Sequence, residues 1–117
     1  MKMKLSPHVS IYRFPLSAVT SILNRGTGCY LSGVFVGTGI SYLTPFSIET
    51  IPDSVEATVA GCLIYHTLGG VRHYVWDLKP SWMTTSFAKW SSVGLLLSSF
   101  GMTSSYIYLK SKNSYIK

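Results

Sequence analysis

Two histidines, an arginine and an aspartate occur in residues 65–77, inside an otherwise apolar segment of the sequence, at His66, Arg72, His73 and Asp77. An ionisable group at membrane depth is energetically costly, so its presence usually marks a functional site. An imidazole in this setting can ligate a haem iron, or it can hydrogen-bond a neighbouring helix. The spacing of the two histidines therefore decides which chemistry this stretch can support.

His66 and His73 are two helical turns apart on nearly one face, which separates them by about 10 Å along the axis. Two imidazoles on opposite sides of one metal ion have nitrogens only about 4 Å apart, so these two cannot share an ion. If His66 ligates a haem iron, a second axial histidine must come from another chain, because the remaining histidine, His8, lies in a polar arm. Gly69 and Gly70 predict room for a flat, bulky group beside the imidazole.

The composition indicates lipid as the surrounding solvent. The chain has 117 residues, enough for one small domain, and 47% of them are hydrophobic while 12% are charged. Ordinary soluble domains carry about 25% charged residues. The net charge is +6, but the basic residues lie beside apolar segments rather than in one stripe, so we expect no nucleic-acid partner. Cys29 and Cys62 lack metal-binding spacing and are interpreted as buried free thiols.

Three apolar segments determine the predicted fold class. A helix needs about 20 largely apolar residues to cross a bilayer, and each segment can supply that length. We therefore expect an all-α membrane protein with three transmembrane helices. The transmembrane domain covers residues 16–109, with spans at about 16–43, 55–76 and 87–109.

The ends of the chain are predicted to lie outside the bilayer. Residues 1–15 predict an N-terminal interfacial arm, because Pro7 and Pro15 disfavour a continuous helix, and residues 110–117 predict a basic tail. Basic residues flank the first span and the loop after the second span, whereas the loop after the first span is acidic. The positive-inside rule then places the N-terminus on the negative side, which is the matrix or the cytoplasm.

A hydroxyl and a cation share one face near the start of the first span. Ser21 and Arg25 are four residues apart, so they are neighbours on the helix surface. A hydroxyl donor beside a cation suits a polar head group such as a quinone carbonyl or a carboxylate. The alternative is that Arg25 is an anchor whose stem reaches back to the membrane surface. Further along, Gly33 and Gly37 form a GxxxG pattern typical of close helix packing.

Three motifs carry a resemblance to a known family. They are SPHVSIYR at residues 6–13, SILNRGTG at residues 21–28 and HTLGGVRHYVWD at residues 66–77. In order and spacing they resemble the signatures of the cytochrome b large membrane-anchor subunit of succinate dehydrogenase, respiratory complex II. The RGTG form of the second motif is more similar to mitochondrial members than to bacterial ones.

The resemblance implies a haem b site shared with a second subunit. His66 matches the axial ligand, and the second histidine comes from a small membrane-anchor subunit against which the three helices pack. Arg72 and His73 match residues near the haem propionates. Asn24 departs from the family pattern, because many relatives have a histidine there, and an amide can donate a hydrogen bond but carries no charge.

The resemblance also implies electron transfer from succinate to ubiquinone. Ser21 and Arg25 match residues that line the ubiquinone site, which the small anchor and the iron–sulfur subunit complete. The dicarboxylate chemistry occurs in other subunits, the flavoprotein being an indirect partner, so no catalytic residue is expected here. The implied location is the mitochondrial inner membrane with the N-terminus on the matrix side, rather than a bacterial inner membrane.

Two other classes of function remain open from the residues alone. One is a cofactor-free membrane scaffold or assembly subunit, in which the histidines are packing residues. The other is a transporter or channel subunit that uses Arg25 and Arg72 for anions. That class favours ionisable residues in several spans, and the third span offers only Lys89 near its start.

Overall fold

The computed structural model of the chain describes residue 11 and residues 13–44 and 51–114. It contains three α-helices, α1 (Leu16–Leu43), α2 (Asp53–Leu78) and α3 (Thr85–Ser114), with a short 3-10 helix at Pro80–Trp82. The prediction of an all-α chain with three helices is confirmed.

The predicted spans at 16–43, 55–76 and 87–109 each fall within one of these helices. Over the described residues, none of the helices has a stretch that is both long and apolar enough to cross a membrane. Most of the predicted arm, residues 1–15, and the end of the predicted tail lie outside the described residues.

Prolines and hydroxyls set the ends of the helices. Pro15 and Pro52 directly precede α1 and α2, where their missing amide hydrogens leave no helical bond unmade. Helix α2 ends just before Pro80, since the residue ahead of a proline is disfavoured in helical geometry. The Thr84 hydroxyl accepts a hydrogen bond from the Phe87 amide at 3.2 Å and so caps the start of α3.

Helix α2 packs against both other helices, and the buried interior is small, with as many polar as hydrophobic side chains among the described residues. The large apolar side chains instead point outward. Phe35 is 80% exposed and Phe100 is 75% exposed. An apolar outer surface this extensive requires an apolar environment or a partner to cover it. The side chains that are buried are Thr20, Tyr65, Trp76, Ser92, Leu95 and Ser99.

The two glycines of the GxxxG pattern on α1 do not pack against another described helix. A Cβ added at Gly33 or Gly37 would meet nothing within 4 Å among the described residues, so the GxxxG pattern is not used for contacts there. Both cysteines are free, as expected, and Cys62 is half-buried. The predicted burial is wrong for Cys29, which is exposed because it lies on a side of α1 that no described helix covers.

An ion-pair cluster joins the start of α2 to the end of α3. Lys110 Nζ lies 2.7 Å from Asp53 Oδ1 and 2.5 Å from Glu56 Oε2, and the Tyr106 hydroxyl donates to Glu56 Oε1 at 2.5 Å. These bonds fasten the last turns of α3, which continues as a helix to Ser114 through part of the predicted tail. The hydrogen bond from Lys110 is the main cause that lowers the pKa of Asp53.

Replacing Lys110 with Gln should lower the thermal unfolding midpoint of the detergent-solubilised protein at neutral pH. The lowered pKa of Asp53 means that the stabilisation is present above the ordinary value of 3.8 and disappears as the pH falls through the lower folded value. The pKa of Lys110 is raised by the same bonds, so the stabilisation also persists until the pH rises above 10.5.

The matched control is Lys112→Gln, since Lys112 lies two residues after Lys110 on α3 and has no ion-pair partner among the described residues. Two outcomes would contradict a stabilising role of the cluster. One is an equal effect of the two replacements on the unfolding midpoint, and the other is a difference in midpoint between wild type and Lys110→Gln that does not change with pH.

Candidate functional site

His66 is half-buried on α2 and is held by α1. Its Nδ1 lies 2.9 Å from the backbone carbonyl oxygen of Asn24, an atom that can only accept, so Nδ1 carries the proton and donates. The neutral ring then has its lone pair on Nε2, which makes no hydrogen bond to any other residue that the structure describes. Metal-binding histidines commonly donate their other N–H to a carbonyl in this way, so His66 is oriented for ligation.

A second donor reaches the carbonyl that holds His66. The Thr27 hydroxyl donates to the Asn24 carbonyl oxygen at 2.9 Å, and its Oγ1 lies 3.4 Å from His66 Nδ1. The ring is therefore bounded by two groups from one turn of α1. Within the described residues no cluster of three or more His, Cys, Asp or Glu side chains could hold a metal ion.

Two glycines let the helices meet at this point. A Cβ added at Gly28 would come within 2.8 Å of His66 Cε1, so the imidazole occupies the space where a side chain would be. A Cβ at Gly69 would come within 2.8 Å of Asn24 Cγ. The expectation that Gly69 leaves room beside the imidazole is therefore wrong, because the Asn24 amide fills that space. Gly70 does face open space, with nothing within 4 Å among the described residues.

A cluster of hydroxyls around Thr20 joins all three helices. Thr20 on α1 is 1% exposed, and its hydroxyl lies 3.1 Å from that of Ser92 on α3, which is 0% exposed. From α2, the Tyr65 hydroxyl donates to the Thr20 carbonyl at 3.0 Å and Arg72 Nη1 donates to Thr20 Oγ1 at 3.3 Å. One threonine thus fixes the relative positions of α1, α2 and α3 one turn before Asn24.

Arg72 and His73 both lie against the buried ring of Trp76. The Arg72 Cζ is 4.2 Å from the ring centroid, and the His73 ring meets Trp76 edge-on at 5.4 Å and 89°. Arg72 forms no ion pair with an acidic residue in the described part of the chain, and its buried Nε has no hydrogen-bond partner there. The site therefore contains a partly buried cation that lacks a counter-ion within these residues.

Ser21 and Arg25 do not join this arrangement. Ser21 is half-buried and Arg25 is exposed, and neither side chain forms a hydrogen bond or ion pair with another described residue. They lie on the flank of α1 next to the face that carries Thr20 and Asn24. An exposed cation beside a hydroxyl is available to a ligand that approaches α1 from outside the three helices.

The structure thus places four of the six predicted site residues in two separate contacts, with Asn24 against His66 and with Arg72 and His73 at Trp76. The residues that sequence reasoning missed hold these four in place. A signal for most of them was present, since they recur at intervals of three or four residues along one face of α1 or α2. They are Thr20, Thr27, Gly28, Tyr65, Trp76 and, on α3, Ser92.

Known proteins are similar in sequence to this chain over most of its length. The family described as succinate dehydrogenase/fumarate reductase transmembrane subunit matches residues 1–103. The mitochondrial succinate dehydrogenase cytochrome b560 subunit of Bos taurus is 37% identical over 116 residues, covering 84% of this chain and 68% of the relative. These matches confirm the resemblance that the three motifs carry.

Two further relatives are similar to this chain over shorter stretches. The mitochondrial cytochrome b560 subunit of Dictyostelium discoideum is 38% identical over 84 residues, covering 62% of this chain and 44% of the relative. The cytochrome b556 subunit of Paracoccus denitrificans is 34% identical over 85 residues, covering 62% of this chain and 65% of the relative. The chain thus spans between 44% and 68% of the length of these relatives.

Replacing Gly28 with Ala should destabilise the site, because the new methyl group displaces the imidazole from the Asn24 carbonyl. Overpacking of this kind costs about 1–3 kcal/mol in the free energy of unfolding. The control is Gly26→Ala, where a Cβ meets nothing within 4 Å. Both replacements gain the same helix propensity, about 1 kcal/mol, so their difference in unfolding free energy isolates the clash. Equal stabilities would mean that the ring does not occupy this space.

Proposed function

The chain belongs to the family of succinate dehydrogenase and fumarate reductase transmembrane subunits, and from that premise we propose that it is the cytochrome b anchor of a succinate:ubiquinone oxidoreductase. In this function it binds haem b together with a small anchor subunit and forms part of the ubiquinone reduction site. Succinate is oxidised in the flavoprotein, and the iron–sulfur subunit delivers the electrons. The observation that carries the proposal is the anchored Nδ1 of His66, which leaves Nε2 available as a ligand.

The residues around His66 suit a porphyrin. The imidazole is fixed in the tautomer that an iron ligand requires, and Gly70, one turn further along α2, presents no side chain to obstruct a flat ring. The bound haem supplies a one-electron acceptor within the membrane. A second histidine for the iron would come from the small anchor subunit, since His66 and His73 lie too far apart to share one metal ion.

Arg72, His73 and Asn24 form the proposed environment of the haem propionates. Arg72 has a positive charge without a counter-ion in the described residues, and a carboxylate would supply one through charge-assisted hydrogen bonds. Trp76 supports the guanidinium from one side at 4.2 Å, and the one hydrogen bond that the guanidinium makes among the described residues is from Nη1 to Thr20. The amide of Asn24 is uncharged and so binds a carboxylate less strongly than a cation does. Arg72 therefore carries most of the compensation of the propionate charge.

Ser21 and Arg25 form this chain's part of the proposed ubiquinone site. The Ser21 hydroxyl donates a hydrogen bond to a quinone carbonyl, and the fixed charge of Arg25 favours the negative charge that develops on that oxygen during reduction. The exposure of Arg25 supports this assignment, because a head group bound between subunits must approach α1 from outside.

The proposed setting is the mitochondrial inner membrane, with the N-terminus on the matrix side. The outward-facing apolar side chains of all three helices support contact with lipid and with the small anchor subunit. Among them Phe35, Leu97 and Phe100 are each more than two thirds exposed, so a covering layer would bury much apolar surface. The iron–sulfur subunit docks at the end of the helices that carries Ser21 and Arg25.

Replacing His66 with Ala should abolish or shift the haem absorbance of the purified complex, because the axial nitrogen is lost. The measurement is the reduced-minus-oxidised optical spectrum at matched protein concentration. Thr67→Ala is the control, since Thr67 is the next residue on α2 and is exposed. An unchanged spectrum in His66→Ala excludes His66 as the ligand, and a colourless wild-type complex favours the cofactor-free scaffold instead.

Replacing Arg25 with Ala should lower succinate:ubiquinone reductase activity about tenfold to a hundredfold, since a hydrogen bond to a charged group contributes about 1.5–3 kcal/mol. Succinate oxidation measured with a soluble dye should remain near wild type, because the dye bypasses the quinone site. Lys112→Ala controls for the loss of one exposed positive charge. Equal loss of both activities in Arg25→Ala would contradict the assignment.

A further inference from the structure

The Asn24 carbonyl oxygen serves more donors than a carbonyl normally does. It lies 2.9 Å from His66 Nδ1 and 2.9 Å from the Thr27 hydroxyl. In an α-helix the same oxygen also accepts from the amide four residues further along. A carbonyl has two lone pairs, so three donors must share them. The bond from the imidazole is therefore weakened by the presence of the other two.

The hydroxyl of Thr27 is the donor that a substitution can remove without disturbing the helix. We propose that Thr27 is a positioning residue that sets the reduction potential of the haem by competing with His66 for the Asn24 carbonyl. The inference rests on the proposed function, because it requires His66 to ligate the iron. In this inference Thr27, which lies within the second sequence motif, acts on the haem through the side chain of His66.

The direction of the effect follows from the electron density on the imidazole. A strong hydrogen bond from Nδ1–H to a carbonyl makes the ring a more basic ligand, and a more basic ligand favours the oxidised iron. Each additional donor withdraws density from the carbonyl oxygen, so the Thr27 hydroxyl weakens the Nδ1–H bond. Removal of that hydroxyl should strengthen the bond and lower the haem potential.

A threonine hydroxyl bonded to a carbonyl one turn back is common in helices, and α1 has other examples. Thr38 donates to the carbonyls of Val34 and Phe35 at 3.0 and 2.9 Å, and Ser41 donates to that of Thr38 at 2.7 Å. At Thr27, in contrast, the same oxygen is shared with an imidazole from another helix, and Thr27 Oγ1 itself lies 3.4 Å from the ring nitrogen. This sharing makes a local helix bond relevant to the ligand.

The experiment compares four forms of the assembled complex, which are wild type, Thr27→Val, Thr27→Ser and Thr38→Val. Thr27→Val keeps the branched shape and removes the hydroxyl, whereas Thr27→Ser keeps the hydroxyl. Thr38→Val removes a similar hydroxyl far from His66. The measurements are the haem midpoint potential by optical redox titration and the electron paramagnetic resonance spectrum of the oxidised haem, which reports the ligand field of the imidazole.

We expect a lower midpoint potential and a shifted resonance spectrum in Thr27→Val alone, with Thr27→Ser and Thr38→Val equal to wild type. An unchanged or raised potential in Thr27→Val overturns the inference while leaving the proposed function intact, and so does an equal shift in Thr27→Ser. Loss of haem in Thr27→Val also overturns it, because the hydroxyl would then hold the ring rather than compete with it. A wild-type complex without haem rejects the proposed function itself.

Discussion

The site depends on the close contact between α1 and α2 at two positions that have no side chain. Gly28 lets the His66 ring lie against the backbone of α1, and Gly69 lets the amide of Asn24 lie against the backbone of α2. The two glycines are complementary. Each helix has one position without a side chain and one side chain that fills the corresponding space on its neighbour. Only at this separation can a main-chain carbonyl of α1 reach an imidazole of α2 at 2.9 Å. A main-chain acceptor is also unusually rigid, since the whole helix fixes its direction.

Buried polar contacts replace the apolar core that a soluble bundle would have. The two most buried side chains, Thr20 and Ser92, are hydroxyls in contact with each other, and they join α1 to α3. The two hydroxyl protons are shared among three possible hydrogen bonds. One joins the two hydroxyls, and each hydroxyl also lies within bonding distance of a carbonyl of its own helix. In surroundings without water such bonds have few competitors, so a few of them can specify how the helices dock. Arg72 extends this cluster toward Trp76 and gives the guanidinium a defined position.

The sequence alone was sufficient for the number of helices, and the ligand role of His66 and the need for a second chain at the iron stay predictions drawn from it. Those conclusions depend on periodicity and on the reach of a single helix, which are local properties. The roles of Gly28 and Gly69 were not accessible in this way, because they depend on which residues of α1 face which residues of α2. Asn24 illustrates the difference. Its type suggested a weak contact through the side chain, whereas the structure assigns the decisive contact to its carbonyl, an atom that every residue possesses.

The position of His66 relative to the interface between α2 and the other helices explains how its ring can be held in place while Nε2 stays available to a ligand partner. Four residues spaced at intervals of four, three and four, Tyr65, Gly69, Arg72 and Trp76, form the face of α2 that turns toward the other helices, and three of them are buried. His66 lies one position beyond that face, beside Gly70 and His73, so its Nδ1 reaches inward to α1 while Nε2, at the edge, makes no hydrogen bond within the part of the chain that the structure describes. If His66 were one of the residues of that inward face, its ring would be enclosed by this chain. One position further out it would lose the carbonyl that sets its tautomer. A haem shared between two chains requires a ligand at such an edge, so the proposed partner would approach the side of α2 that carries His66, Gly70 and His73.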